Sequence, residues 1–464
     1  MRSNRLTTPM NALERRAVTA LAGVFSLRMF GLFLVLPLMA LYANAFEGAT
    51  PLMIGLALGI YGLTQAIFQI PFGMLSDRWG RKPLIIFGLL IFTGGSVVAA
   101  LAESVEGIII GRALQGSGAI AAVVLALVAD LTREQQRTKA MALLGMSIGA
   151  SFLLALMASP FLDQWIGMSG IFWLTAVLSI LSIAVVGLFV PSPMRNAADP
   201  GLQATKRYFL EVLRETQLLR LDFGIFILHM TLTALFVVIP FLIIEVLEIG
   251  RNSHWRVYIP VLIASILLMA PLLILGMKRQ RTIDVLRLAI AVLSLGFLIL
   301  FAGRTTVSGI VVGLGVFFIG FNLLEAMLPS LLTRIAPGYA KGTASGIYNT
   351  FEFLGVFIGG AVGGLMFGSF GAPGVFIFCL ASSLLWLAFS VSGPKPELRD
   401  SVTVYIDPTQ SGGANVIARE LRGLAGVDNV TVLVEEKIAY IRVDEEKFEP
   451  KQLERIAGVA SSSR

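Results

Sequence analysis

Residues Gly73–Lys82 read GMLSDRWGRK: one acid and three bases between two long apolar runs. Charges that dense do not enter hydrocarbon, so the stretch is a turn at a membrane surface. The runs on either side of it are then membrane spans.

Composition extends that reading to most of the chain. Hydrophobic residues make up 56% of the 464 residues and charged residues 14%, well below the ~25% charged share of an ordinary soluble domain. Apolar runs of about twenty residues recur, each long enough to cross a hydrocarbon core of roughly 30 Å as a helix. Helices are favoured because backbone groups in lipid must be satisfied internally. Twelve spans are expected, at 18–43, 52–75, 83–102, 107–130, 139–161 and 170–190, then 221–247, 257–276, 284–303, 308–333, 343–368 and 373–392. The fold class is an all-α polytopic membrane protein of two six-helix halves, with a small α+β domain at its C-terminus. The start, MRSNRLTTPMNALERRA, is polar and basic and does not read as a cleaved signal peptide.

The formal net charge of +7 is not a nucleic-acid signal, because the bases lie in short loops between spans. With the N-terminus inside, only Arg251, Arg256 and Arg304 of the membrane region fall outside, which predicts two cytoplasmic termini. The expected organisation is a first half over 1–191, a cytoplasmic linker over 192–220 with an amphipathic helix in RYFLEVLRETQLLRL, a second half over 221–394, and a terminal domain over 400–464. A faint internal match supports duplication: LVADLTREQQRTKAMALLG after the fourth span resembles LLPSLLTRIAPGYAKGTASG after the tenth. The turn GMKRQRT after the eighth span keeps the glycine and bases of 73–82 without the acid.

Residues 400–464 hold 8 Lys/Arg and 11 Asp/Glu and read differently. SVTVYI (401–406) alternates like a strand, NVIARELRGL (415–424) is an amphipathic helix, 430–444 a hairpin and 450–459 a second helix. The order β-α-β-β-α predicts a ferredoxin-like domain, either complete or without its last strand. Its small core leaves self-association through this domain open.

Ionisable residues inside spans cost roughly 2.5–3.5 kcal/mol each at a helix centre and are functional candidates by default. They are Arg28 in the first span, Arg112 in the fourth, His229 in the seventh, Glu325 in the tenth and Glu352 in the eleventh. The first, fourth, seventh and tenth helices are therefore expected to face a polar cavity, and the third, sixth, ninth and twelfth to face lipid. A carboxylate in an apolar cavity is held towards its neutral form by desolvation, which suits Glu325 and Glu352 to carrying a proton. His229 titrates in the useful range. Asn322 shares a face with Glu325, and Tyr348, Asn349 and Glu352 form one stripe, as do Tyr61, Gln65 and Gln69. These polar residues, with Arg28, are the substrate-cavity candidates. Each has a plainer reading as a helix-packing contact. Gly355, Gly359 and Gly363, four apart, predict close helix approach rather than binding. In the charged turn, Gly73 and Gly80 allow tight backbone, Asp77 can cap a neighbouring helix, and Arg81 can tie it to Asp130. Arg78 and Lys82 are read as topology signals.

GMLSDRWGRK resembles motif A of the major facilitator superfamily, and GRALQGSGAI (111–120) resembles its motif B. The first helix and the distribution of polar residues are similar to the drug:proton antiporter branch, and the terminal domain to members that carry a cytoplasmic ferredoxin-like module. The resemblance implies that Gly73, Asp77 and Arg81, with Asp130, form a conformational switch. Asp77 would meet the start of the eleventh helix near Gly342–Gly346, and Arg112 would take part in proton coupling. Motif C departs from the pattern, since Gly145 and Gly149 lie far from Pro160. The terminal domain resembles heavy-metal-associated modules in topology but has no cysteine, which excludes thiolate copper binding.

The function expected is secondary active transport: proton-coupled efflux of amphipathic small molecules across the bacterial inner membrane by alternating access. The partners are a small-molecule substrate, protons and the bilayer, with no nucleic acid. The alternative is a membrane ligand sensor, or a uniporter whose terminal domain regulates or reports transport. No enzyme constellation, cofactor or metal site is expected. There is no Walker-type loop, and Cys379 is the only cysteine.

Overall fold

The computed structural model describes residues 9–45, 48–191, 206–278, 281–337, 340–392, 400–406, 414–433, 438–443, 448, 452–453, 456 and 459–460. The chain forms two compact units. One holds Met1–Met194, Phe223–Glu325 and Tyr348–Ser392, and the other holds Arg195–Asp222, Ala326–Ile347 and Gly393–Arg464.

The helices are α1 (Ala12–Leu34), α2 (Leu36–Met39), α3 (Pro51–Trp79), α4 (Arg81–Ala100), α5 (Val105–Ser117), α6 (Ala121–Asp130), α7 (Glu134–Phe189), α8 (Lys206–Arg214), α9 (Thr216–Glu245), α10 (Trp255–Lys278), α11 (Thr282–Gly303), α12 (Val307–Ile335) and α13 (Lys341–Ser392). Their starts are written in the sequence. Asn11 and Glu14 cap α1 reciprocally, Thr50 caps α3 with Pro51 in its first turn, and Ser104 caps α5. Among the described residues, ten helical segments are long and apolar enough to cross a membrane. Two of them, in α7 and α13, each contain two helices joined at a non-helical glycine, Gly167 and Gly371, so these ten segments correspond to the twelve expected spans. Two spans are less regular than expected. The first runs through α1, α2 and a 3-10 turn over Ala40–Ala45, with Pro37 at the junction. The fourth is broken between α5 and α6, where Gly118 leaves helical geometry.

The duplication is visible in backbone contacts. Gly95 lies against the backbone of Gly111 and Gln115, and Gly296 against that of Phe317. The Thr175 hydroxyl donates to the Gly31 carbonyl at 3.5 Å, and the Cys379 thiol approaches the Thr231 carbonyl at 4.0 Å. Gly167 and Gly371 carry matching backbone angles, φ 62, ψ −175 and φ 62, ψ −161. The partners in each match are about two hundred residues apart, and the spacing widens slowly along the chain.

Glycine also sets how close the helices come. Gly355, Gly359 and Gly363 of α13 sit on Phe226, Met230 and Ala234 of α9, as their spacing predicts. The adjoining face of α13 does the same towards the first six spans. A Cβ on Gly55 would fall on the Gly360 carbonyl, one on Gly62 on the Phe353 carbonyl, and one on Gly364 on the Pro51 carbonyl. The apolar side chains left exposed on α4, α11 and the second helices of α7 and α13, such as Phe87, Leu295, Ile180 and Leu385, are those expected to meet lipid.

The terminal domain has strands β1 (Asp400–Ile406), β2 (Val427–Leu433), β3 (Ile438–Val443) and β4 (Val459–Ala460), with α14 (Ala414–Arg422) between β1 and β2. The sheet order is β2-β3-β1-β4, with antiparallel neighbours throughout. That is the ferredoxin-like order. The last strand is present as a two-residue pairing on β1, Tyr405 and Ile406 against Ala460 and Val459. Val404, Ile406, Val430, Ala439, Ile441 and Val443 form the sheet's contribution to the core, and Ile417 and Leu421 the helix's. The second helix expected over 450–459 lies mostly outside the described residues, although Leu453 and Ile456 are buried in the same core.

Candidate functional site

Three of the five intramembrane ionisable groups come together. His229 of α9 places its Nε2 3.5 Å from Glu352 Oε1 and 3.9 Å from Glu325 Oε2. α9 is almost wholly buried, so the histidine is fixed from its own helix. Glu325 lies one turn beyond Phe321, whose ring centroid is 6.0 Å from the imidazole. Pro329, four residues after Glu325, removes the amide that would bond the Glu325 carbonyl. Glu352 is the more enclosed carboxylate, its side chain 25% exposed against 43% for Glu325. Read from the residues alone, Glu325 is the stronger proton-coupling candidate of the two, whereas the greater enclosure belongs to Glu352. Aromatic rings pack in series beside the cluster: Phe321 contacts Phe152 of α7, Phe152 contacts Phe33 of α1, and Phe353 contacts Tyr61 of α3. Tyr348 is buried and Asn349 half-buried one turn before Glu352. Asn322 turns away from the carboxylates and donates to Ser265 of α10 at 2.9 Å.

The other two groups, Arg28 and Arg112, form a separate network in the first six spans. Arg28 is 1% exposed and donates through Nη2 to Gln65 Oε1 and to the Gly118 carbonyl, both at 2.9 Å. The break between α5 and α6 is what presents that carbonyl. Gln65 continues the chain to Gln69 at 2.9 Å. Among the described residues, no carboxylate pairs with Arg28, and its Nε and Nη1 have no hydrogen-bond acceptor. The Tyr61 and Phe92 rings lie 5.8 and 5.2 Å from its guanidinium carbon and supply the remaining polarisation. Arg112 donates to the Ala57 and Leu58 carbonyls and to Gln115, which donates in turn to Ser96. Arg28, Tyr61, Gln65 and Gln69 are each buried to within about one per cent. In this conformation they are interior to the helix packing rather than open to a cavity.

At the charged turn, Arg81 Nε lies 3.1 Å from Asp130 Oδ2, and Arg81 also donates to Ser76, whose hydroxyl donates to the Gly73 carbonyl. The Asp77 side chain, and with it the expected contact near Gly342–Gly346, lies outside the described residues. Lys82 does more than set topology. Its ammonium donates to the Gly187 and Val190 carbonyls at 3.0 and 2.9 Å, closing the end of α7. Reading the sequence also missed Asp163, which is 3% exposed and lies just before the Gly167 break in α7. Its position between two expected spans assigned it to a loop.

The model of the Major Facilitator Superfamily matches residues 21–360. The chain is 41% identical over 447 residues to the inner membrane transport protein YajR of Escherichia coli (strain K12), covering 96% of this chain and 98% of that one. It is 27% identical over 375 residues to the multidrug resistance protein MdtH of Aeromonas salmonicida (strain A449), covering 79% and 89%. Among solved structures, a bacterial homologue of the human lysosomal transporter Spinster, in an inward-facing and occupied conformation, superposes with a TM-score of 0.68 at 14% identity, covering 82% of this chain and 96% of that one. The chain is thus a membrane transporter belonging to the Major Facilitator Superfamily.

Proposed function

We propose that this transporter is a proton-coupled efflux carrier of the inner membrane, moving amphipathic small molecules by alternating access with both termini cytoplasmic. The observation that carries the reading is the cluster of His229, Glu325 and Glu352. With both carboxylates ionised, the cluster keeps a net negative charge even when the imidazole is protonated. In a membrane interior that charge calls for a neutralising partner. A proton or a cationic group on a solute meets the need equally, so the two compete for the same oxygens. Competition of that kind makes an antiporter: the solute leaves when the proton arrives. The rings of Phe321, Phe152 and Phe33 offer apolar and cation-π surface to the rest of such a molecule. The names of the relatives, an inner membrane transport protein and a multidrug resistance protein, agree with this class of cargo. Residues 1–191 and 221–394 are taken as the two moving halves, and the Arg81–Asp130 contact, with Asp77, as the switch at the cytoplasmic end.

The test is reconstitution in liposomes holding a pH-sensitive dye. Lipophilic cations added under an imposed gradient should drive proton movement that Glu352→Gln reduces at least about tenfold and Glu325→Gln reduces less, following their enclosure. Solute binding without proton movement in the unsubstituted protein rejects the antiporter and favours a uniporter or sensor.

A further inference from the structure

Far along the helices from the charged turn, residues of the two halves meet in a second polar cluster. Tyr42, in the 3-10 turn that ends the first span, donates its hydroxyl to Asp163 Oδ1 at 2.5 Å. Its oxygen also accepts the Met168 amide at 3.2 Å. Gly167, at φ 62, allows that turn and leaves room beside the phenol oxygen. From the other half comes Arg251, in the turn before α10. Its Nε lies 3.2 Å from Asp163 Oδ2, at ion-pair distance though not aligned as a hydrogen bond, and its guanidinium carbon sits 5.0 Å from the Tyr42 ring centroid. Phe161 and Trp255 stack beside the pair at 5.5 Å. Pro51 and Gly55 of α3 meet Gly364 and Gly360 of α13.

The carboxylate at the centre decides what the cluster does. The Asp163 side chain has no exposure at all, while that of Arg251 is 45% exposed. A carboxylate shut away from water is tolerated while its cation is present and becomes costly once the cation is gone. Parting the halves at this end would return Asp163 to water and remove the cost. The ion pair therefore favours the closed arrangement over the open one, which is what a lock requires.

We propose that Tyr42, Asp163 and Arg251 form a lock that holds this end of the transporter shut. It is separate from the charged turn and lies at the opposite end of the helices. The inference rests on the alternating-access reading, and its test separates the two. Spin labels on cysteines at the exposed positions Trp165 and Arg256 report opening at this end. A second pair, at the exposed positions Trp79 and Ile274, reports the other end. Cys379, which is buried, is replaced by serine. Arg251→Gln should raise the ratio of open to closed populations at the first pair by about tenfold or more, because it strands the carboxylate. Asp163→Asn should raise it less, since the amide keeps the Tyr42 bond. Arg251→Lys should stay near the parent. The double variant, which strands nothing, should fall back towards the parent distribution, and that recovery also shows the protein to be folded. An unchanged distance distribution in Arg251→Gln overturns the lock. So does a double variant as open as the single one. Opening at the first pair without closing at the second keeps the lock and rejects alternating access.

Discussion

The first and last six spans share a backbone plan and carry opposite chemistry. Gly95 and Gly296 bring the same two helices together in each half, and Gly167 and Gly371 break the same connection with the same angles. Into that common frame the first half places Arg28 and Arg112, bonded to carbonyls and amides of their own half. The second half places His229, Glu325 and Glu352 facing one another. The contacts of Gly31 and Thr231 align the first and seventh spans so that Arg28 falls within one residue of the counterpart of His229. Neighbouring positions in a duplicated fold thus hold a fixed cation in one copy and an imidazole in the other. The bases of the first half are bonded to its frame, and the acids of the second stay partly exposed beside the imidazole.

The sharpest way to break this comparison uses the two glycine faces of α13. Gly359 packs on Met230 of its own half, a contact that the proposed alternating access would leave intact, whereas Gly360 packs on Gly55 across the halves. Gly359→Leu should destabilise the fold by about 3 kcal/mol or more through overpacking, read as a loss of thermal stability in detergent. Gly360→Leu should instead keep the fold and open the end marked by Trp165 and Arg256. If both variants unfold alike, the contact across the halves is as permanent as the one within a half.

A smaller effect tests the division of chemistry. Arg28→Leu leaves the Gly118 carbonyl and Gln65 without their donor, and should cost about 2 kcal/mol of stability. His229→Phe removes a ring that makes no hydrogen bond to either carboxylate in this conformation. It should cost under about 1 kcal/mol while abolishing proton-coupled flux. Equal stability losses would mean that the second half's cluster is architecture too.

How much of this was legible depended on range. The spans followed from apolar runs and the lipid-facing helices from spans without interior charges, because a bilayer imposes those patterns locally. The closeness of α13 to α9 was readable from Gly355, Gly359 and Gly363. The contact of Gly360 with Gly55 was not, since nothing local to either residue names the other. His229, Glu325 and Glu352 were each conspicuous as charges in apolar runs, but only the fold shows that they touch. The same fold places Arg28, Tyr61, Gln65 and Gln69 inside the helix packing instead of on a cavity wall. Asp163 and Lys82 were lost for the opposite reason, because charges at span ends are common and signal nothing alone.

The mildest prediction tests the duplication itself. Gly167 and Gly371 both hold φ 62 with ψ near ±180, a region that an L-residue enters only with strain of about 1–3 kcal/mol. If the two breaks are copies of one feature, alanine at either position should cost the same, because the strain belongs to the backbone and not to its surroundings. Their neighbours differ: Gly167 has the Tyr42 hydroxyl beside it, and Gly371 has the Pro373 ring. Both neighbours stand 3.7 Å from where a Cβ would sit, which is ordinary contact, so neither should add a steric penalty. The positions are also in different connections and share no partner, so the double variant should lose the sum of the two within about 0.5 kcal/mol. Denaturation of the two single variants and the double one in detergent measures this. A Gly167→Ala loss well above that of Gly371→Ala would show that the first break carries a burden the second lacks. The Tyr42–Met168 contact would be its source, and the two breaks would then be equivalent in geometry and not in energy.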